Sequence, residues 1–460
     1  MSKYINTGYT DKLSYTNKEI IRLFIDPYYN IKNIYLDIKD LNGNIIKKIF
    51  VKEMKKQVKE YRGEYNIPIF EKYKEPWYEF NYEFTCSFKL NNVKSGIYII
   101  DDKINVIIKE DYNSFNRAFI CYLVPTNTIE MYNVYGGKSG YYDFRNEKNI
   151  DPHNAARVLD MKRPKNLTKL QNGILKWFLN SNYKINYITD VDMDQNIYNC
   201  YWSNSVGHST KLLIIGGHSE YWSMKARKNL EEIISNGTHL LNLSGNSLWS
   251  RISYADNYSK LIHVREDRYI NQIPKKYLSL SETFKTVYFC DKINNYRSFE
   301  TIGVDYLIGG WGCKLFNNKN HPIKYFNYSK SSVLNNISYI DILSSGDEYD
   351  GIYTNLSELY DVKTDDILKY FNKIKLSNKY KIFKHKKLLM VGFCTYPHKE
   401  KKYIARITGI IALQKNDISG IIINCCSSHW CEKKIFDEKK KKLTGNFIEF
   451  LLNNKNINNI

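Results

Sequence analysis

Residues 212–249, LLIIGGHSEYWSMKARKNLEEIISNGTHLLNLSGNSLW, limit the choice of fold more than any other part of the chain. Leu212 to Ile215 are a continuous apolar run, as in a strand buried on both faces, and Gly216-Gly217 break it. Ser223 can cap a helix whose Ala226, Leu230, Ile233 and Ile234 share one stripe, and Asn236-Gly237 end it. A second apolar strand begins at His239. Strand, crossover helix and strand in so short a span imply a parallel sheet, and such sheets take ligands beyond the carboxyl ends of their strands. His218, Glu220 and Asn246 lie at such ends. In an extended loop, side chains at i and i+2 point the same way, so His218 and Glu220 face one cavity while Tyr221 turns aside. An isolated His-x-Glu is as common in solvated loops and structural hydrogen bonds, and it is the placement between a buried strand and a capped helix that makes this one a candidate site.

The chain has 460 residues, enough for a large core and more than one domain. Its formal charge of +20 invites a nucleic-acid reading. Lysine, however, is spread along the chain among abundant Asn, Ile and Tyr. The densest runs, 399–402 and 439–442, have no aromatic platform beyond Tyr403, so no nucleic-acid partner is expected. No apolar run reaches the ~18 residues of a membrane span, and the start MSKYINTGYTDKLSY is polar, so no membrane association and a cytoplasmic location are expected. The nine cysteines contain no C-x-x-C pair, and only Cys425, Cys426 and Cys431 cluster. Reduced, buried and inert thiols are the expectation.

Short strand-like runs at 20–25, 34–38, 45–51, 82–88, 97–101 and 104–108, with an Asn42-Gly43 hairpin turn, read as an N-terminal immunoglobulin-like β-sandwich over residues 1–112. From there the spacing changes. Strands at 118–124 and 184–189, a helix at 167–179 and the 212–249 unit alternate as in an α/β domain spanning 113–460. Runs at 388–393 and 420–423 can extend its sheet, and 445–452 read as a closing helix. Residues 125–163, with PTNTIEMYNVYGGKSGYYDF, have no periodicity and read as a loop wrapping a surface or a site. Residues 252–380 are the least readable.

With these motifs in view, the chain resembles the family of the large (beta) subunit of N,N-dimethylformamidase. GGHSEYWS, its following helix and LSGNSLW carry most of the resemblance. PTNTIEMYNVYGGKS, KWFLNSNYKINYITDVDMD, GYTDKLSY and the SGIY of residues 95–98 extend it, and SGDEYDG and SSHW match more weakly. The resemblance implies a catalytic domain of the class I glutamine amidotransferase-like fold and a mononuclear Fe(3+) held by two tyrosines and one glutamate. It carries the metal ligands to Tyr98, Tyr132 and Glu220, and the catalytic roles to His218, Asn246 and Glu348. Tyr142 competes with Tyr132, and Glu358 of LSELYD competes with Glu348. Two segments depart from the family pattern: CCSSHWC, where glycine, serine and tryptophan are usual, and VLDMKRPKN, where an aspartate-arginine-proline turn is usual.

The chemistry is coherent. Phenolate and carboxylate are hard anionic donors that suit trivalent iron. A metal polarises an amide carbonyl and activates water, His218 oriented by Glu348 moves the proton, and Asn246 can face an oxyanion. The position of an amidotransferase nucleophile falls near Gly245-Asn246, which excludes cysteine-based glutaminase chemistry. The sequence therefore points to an iron-dependent hydrolase of linear amide C–N bonds acting on a small amide, as a homo-oligomer or with a small partner subunit. The alternative is a non-catalytic or carbohydrate-directed protein that keeps the fold.

Overall fold

The structure is a computed structural model that describes residues 4–57, 77–78, 82–111, 118–135, 139–141, 155–168, 170–195, 210–266, 270, 273, 275–311, 323–342, 347–360, 368–396 and 404–460. Its largest unit is a ten-stranded sheet. One half is parallel, in the order Ile185–Thr189, Ile120–Val124, Leu212–Gly216, His239–Leu243 and Ile422–Asn424. The four strands of this half before Ile422–Asn424 are five-residue apolar runs buried throughout. Successive side chains alternate between faces: Leu212 and Ile214 enter one core, Leu213 and Ile215 the other.

Each face is covered by helix. Met224–Ser235 begins where the Ser223 hydroxyl accepts the Ala226 amide at 2.9 Å, and it lays Ala226, Leu230, Ile233 and Ile234 on one side. Asn172–Leu179 and Glu438–Asn453 cover the other through Ile174, Phe178, Leu443, Phe447 and Leu451. The last helix starts earlier than its apolar stripe suggests, because Asp437 caps it through the Lys440 amide. Leu230 is fully buried, so Leu230→Ala should destabilise the protein by about 2–5 kcal/mol, read from a lowered urea midpoint at constant slope.

The expected parallel-sheet amidotransferase-like α/β class with an N-terminal sandwich is overturned by the rest of the molecule. Strand outweighs helix, at 37% against 21%, and the sheets are mixed. Beyond Ile422–Asn424 the large sheet continues antiparallel through Ile404–Gln414, His385–Tyr396, Ile323–Asn327 and Tyr339–Ile342, with Glu358–Tyr360 also pairing to Ile404–Gln414. Residues 397–403 are too few for the crossover of a dozen or more residues that parallel pairing requires, so those two long strands must run antiparallel. A further sheet, in the order Tyr221–Ser223, Ser250–Ala255, Lys260–Ile262, Val158–Asp160 and Trp77–Tyr78, and a pair formed by Asp305–Trp311 and Glu348–Gly351 stand apart from the large sheet.

At the N-terminus, a three-stranded sheet (Ile5–Thr10, Ile20–Pro27, Phe84–Lys89) and a five-stranded one (Ser14–Thr16, Ile104–Lys109, Gly96–Ile100, Ile31–Lys39, Ile45–Met54) share a core of Ile21, Leu23, Leu36, Ile38, Val51 and Val106. The Asn42-Gly43 turn joins Ile31–Lys39 to Ile45–Met54, with Gly43 at φ +90. Ile97 and Ile107 of the same sheet belong instead to the core beneath the large sheet, and Trp77–Tyr78 pairs with Val158–Asp160. We propose the division at residue 112, into 1–112 and 113–460, on the strength of the separate N-terminal core. Among the described residues no helix is long and apolar enough to cross a membrane.

Candidate functional site

Three neighbouring parallel strands deliver side chains to one point beyond their carboxyl ends. Ile120–Val124 passes through Pro125 into the short helix Thr126–Met131, and Tyr132 follows that helix directly. Leu212–Gly216 turns at Gly217, which holds φ +68, and releases His218, Ser219 and Glu220. His239–Leu243 runs into Ser244, Gly245 and Asn246. Asn246 and Leu248 both sit in the left-handed region, at φ 52 and 57, and a bulky residue such as Leu248 holds that conformation only where its surroundings impose it. Here the Leu248 amide is tied to the Ser219 carbonyl, and the Trp249 and Ser250 amides to that of Glu220.

Glu348 arrives from the separate Glu348–Gly351 strand. Its amide donates to the Ser428 hydroxyl and its carbonyl accepts the Ser428 amide, each at 3.0 Å. Asp347 fixes Ser428 in turn, accepting from its hydroxyl at 2.8 Å. Gly245 lets this strand approach, since a Cβ there would collide with the Glu348 carbonyl oxygen.

The cluster is tight, with His218 and Glu220 buried and Tyr132 and Glu348 half-buried. His218 Nε2 lies 3.3 Å from Glu220 Oε2 and 3.2 Å from Glu348 Oε2. The Tyr132 hydroxyl donates to Glu220 Oε2 at 3.0 Å and stands 3.4 Å from His218 Nε2. His218 Nδ1 faces the Gly245 carbonyl at 3.2 Å, which fixes the proton on Nδ1 and turns Nε2 toward the carboxylates. Asn246 Nδ2 donates to Glu348 Oε2 at 2.7 Å. Burial works against charge on His218, but Glu348 and Glu220 outweigh it and raise the imidazole to about 9. Burial also raises Glu348, to about 7, with His218 opposing and Glu220 adding to the shift. Burial, reinforced by Glu220 and Glu348, holds the Tyr132 phenol well above its ordinary value.

Among the described residues, His218, Glu220 and Glu348 each offer a ligand atom within 4.8 Å of the others, an arrangement that can hold a metal ion. The donor set fits one: two carboxylates, a phenol and an imidazole converge, and the neighbouring Asn246 Oδ1 is buried without a hydrogen-bond partner. They open on a cavity of about 780 Å³ walled by Tyr132, Tyr141, His218, Trp249, Tyr306 and Glu348, within the range of small-molecule sites.

The sequence-derived candidates Tyr132, His218, Glu220, Asn246 and Glu348 are thus brought together, and Tyr98 is not. Its hydroxyl donates to the Lys94 carbonyl at 2.8 Å and its ring packs in the N-terminal core, because Gly96–Ile100 is an interior strand of that sheet. Tyr142 and the side chain of Glu358 lie outside the described residues. Sequence reasoning missed Tyr141, whose ring stacks on Tyr132 with centroids 5.0 Å apart and whose phenol is raised by burial and then by Glu220. It also missed Thr128 and Ser250, which hold Glu220 at its amide and at Oε1. The adjacent tyrosines of GYYDF were a signal, weakened by the presence of 40 tyrosines in the chain.

No curated protein matches the chain. Among solved structures, the mmIFT52 N-terminal domain is 12% identical, covering 61% of this chain and 90% of that one, with a TM-score of 0.31. A beta-D-glucuronidase for Dictyoglomus thermophilum is 11% identical, covering 53% and 44%, with a TM-score of 0.12. Likenesses this low carry no argument about fold. The family described as N,N-dimethylformamidase beta subunit-like, C-terminal, matches residues 83–364, more than half of the chain and all of the cluster. The chain belongs to the N,N-dimethylformamidase beta subunit-like family.

Proposed function

We propose that the protein is a metal-dependent hydrolase of linear amide C–N bonds, related in chemistry to the activity its family is named for. The observation that carries this reading is the convergence of Tyr132, His218, Glu220 and Glu348 in one buried cluster at the wall of a cavity. Tyr132 and Glu220 would hold the metal, with Tyr141 in the place first given to Tyr98. Hard oxygen donors of this kind favour a mononuclear trivalent iron. When bound, such an ion supplies Lewis-acid polarisation of an amide carbonyl. The chain's own residues do the rest. His218, with Nδ1–H on the Gly245 carbonyl, would present a proton-free Nε2 where a cation offsets the carboxylate charge that otherwise keeps the imidazole protonated, and would then take a proton from the attacking water and return it to the departing amine nitrogen. Glu348 stabilises the imidazolium formed in between, and Asn246 Nδ2 holds Glu348 in place. Water and amide then give a carboxylic acid and a free amine. The family's description as a beta subunit supports a smaller partner chain.

Elemental analysis of the purified protein together with a panel of short linear amides tests this reading. About one iron per chain and release of amine support it. Absence of metal with no turnover leaves the non-catalytic reading. The two tyrosines are separable: Tyr98→Phe should leave iron content and any iron–phenolate colour unchanged, whereas Tyr141→Phe should lower both, read by visible absorption of iron-loaded protein. The reverse pattern would restore Tyr98.

A further inference from the structure

Tyr132 follows directly on the six-residue helix Thr126–Met131. At its end the Thr128, Glu130 and Met131 carbonyls accept the Tyr132, Asn133 and Gly140 amides. One buried side chain from a distant segment gathers three carbonyls of residues 130–135. Arg163 Nη2 donates to the carbonyl oxygens of Glu130 at 3.0 Å and Asn133 at 3.1 Å, and Nη1 donates to that of Tyr135 at 3.2 Å. Its Nε pairs with the Glu130 carboxylate, whose other oxygen lies 2.8 Å from Lys165 Nζ. Asn133 Nδ2 donates to the Pro164 carbonyl at 2.8 Å, tying the two segments together once more. Residues 130–135 are thus wrapped round one guanidinium, and from that wrap the Tyr132 side chain reaches Glu220 and His218.

We propose that Arg163 is the positioning residue that sets where the Tyr132 phenol stands, an assignment that rests on Tyr132 being a metal ligand. The argument is geometric. A guanidinium is a rigid planar fork with five donors and can answer three carbonyls and a carboxylate together. A lysine in its place keeps the charge opposite Glu130 but acts as a point and releases the carbonyls. Arg163 touches no reacting atom in this scheme and acts only through the backbone that carries Tyr132. Residues that orient a ligand typically change metal affinity by about 10–100-fold.

The test compares Arg163→Lys in the wild-type and Tyr132→Phe backgrounds. Iron is titrated alone, and amide hydrogen exchange is followed in the metal-free protein. Arg163→Lys should weaken iron binding by about 10–100-fold in the first background and by less than about twofold in the second. It should also speed exchange at the Tyr132 and Asn133 amides, which donate to the Thr128 and Glu130 carbonyls, and leave the Met224–Ser235 helix unchanged. Should the single variant fail to fold, Arg163→Gln, which removes the guanidinium and leaves Glu130 paired with Lys165, is read the same way. Equal weakening in both backgrounds, or unchanged exchange at Tyr132 and Asn133, overturns the proposal. If the wild-type chain takes up no iron, the metal reading fails separately, and the exchange result alone then decides the role of Arg163.

Discussion

Glu220→Gln should remove stoichiometric iron and, with it, amide turnover. The substitution keeps size and one carbonyl oxygen, so the Ser250 hydroxyl retains an acceptor. The backbone ties from Thr128 to the Glu220 amide, and from the Glu220 carbonyl to Trp249 and Ser250, are untouched. What disappears is the anionic oxygen shared by the Tyr132 hydroxyl and His218. A hard cation bound through phenol and carboxylate oxygens depends on that charge, and affinity should fall by more than the roughly 100-fold typical of losing an outer partner. Metal content by mass spectrometry and the melting temperature of the metal-free protein read the two halves of the expectation. Undiminished iron would remove Glu220 from the ligand set, and a large drop in melting temperature would make its role structural.

His218→Ala should separate binding from catalysis. With His218 as the proposed proton carrier, its removal should lower turnover by about 100- to 10,000-fold and leave metal content near normal. The geometry also makes the opposite outcome informative. Nε2 lies 3.3 Å from Glu220 Oε2 and 3.2 Å from Glu348 Oε2, and an imidazole whose Nδ1–H is held by a backbone carbonyl is well turned to act as a ligand. Loss of iron in the alanine variant would transfer His218 to the ligand set and leave Glu348 as the acid–base group.

The legible part of the molecule was the part with local periodicity. The strand Leu212–Gly216, the Ser223 cap, the helix Met224–Ser235 and the strand His239–Leu243 follow from apolar runs and punctuation, and they carry His218, Glu220 and Asn246 to one edge. The antiparallel half of the large sheet was not legible as such, because an apolar run fixes that a strand is buried and not which way its neighbour runs. Direction came from the brevity of residues 397–403, a constraint visible only once both strands are known. The helix Thr126–Met131 was read as loop because six residues are too few to display a helical period. Tyr98 was assigned through a motif, and its interior place in an N-terminal sheet sends its hydroxyl to Lys94 instead. Glu348 could be placed beside His218 only by resemblance. Its approach depends on Gly245 and on Ser428, partners far from it in sequence that no local pattern connects.

That last dependence gives the cluster a timetable. Tyr132, His218, Glu220 and Asn246 leave the ribosome long before Glu348, and both backbone ties of Glu348 to Ser428 wait for that residue to be made. At roughly 5–20 residues per second, the interval between the first member and the last anchor is on the order of tens of seconds. Throughout that interval a growing chain lacks the carboxylate that faces His218 or the Ser428 contacts that support it. The residues proposed to hold the metal all precede Glu348, so a chain arrested before residue 428 would carry them without the Ser428 support of Glu348, and turnover rather than loading would mark the finished protein.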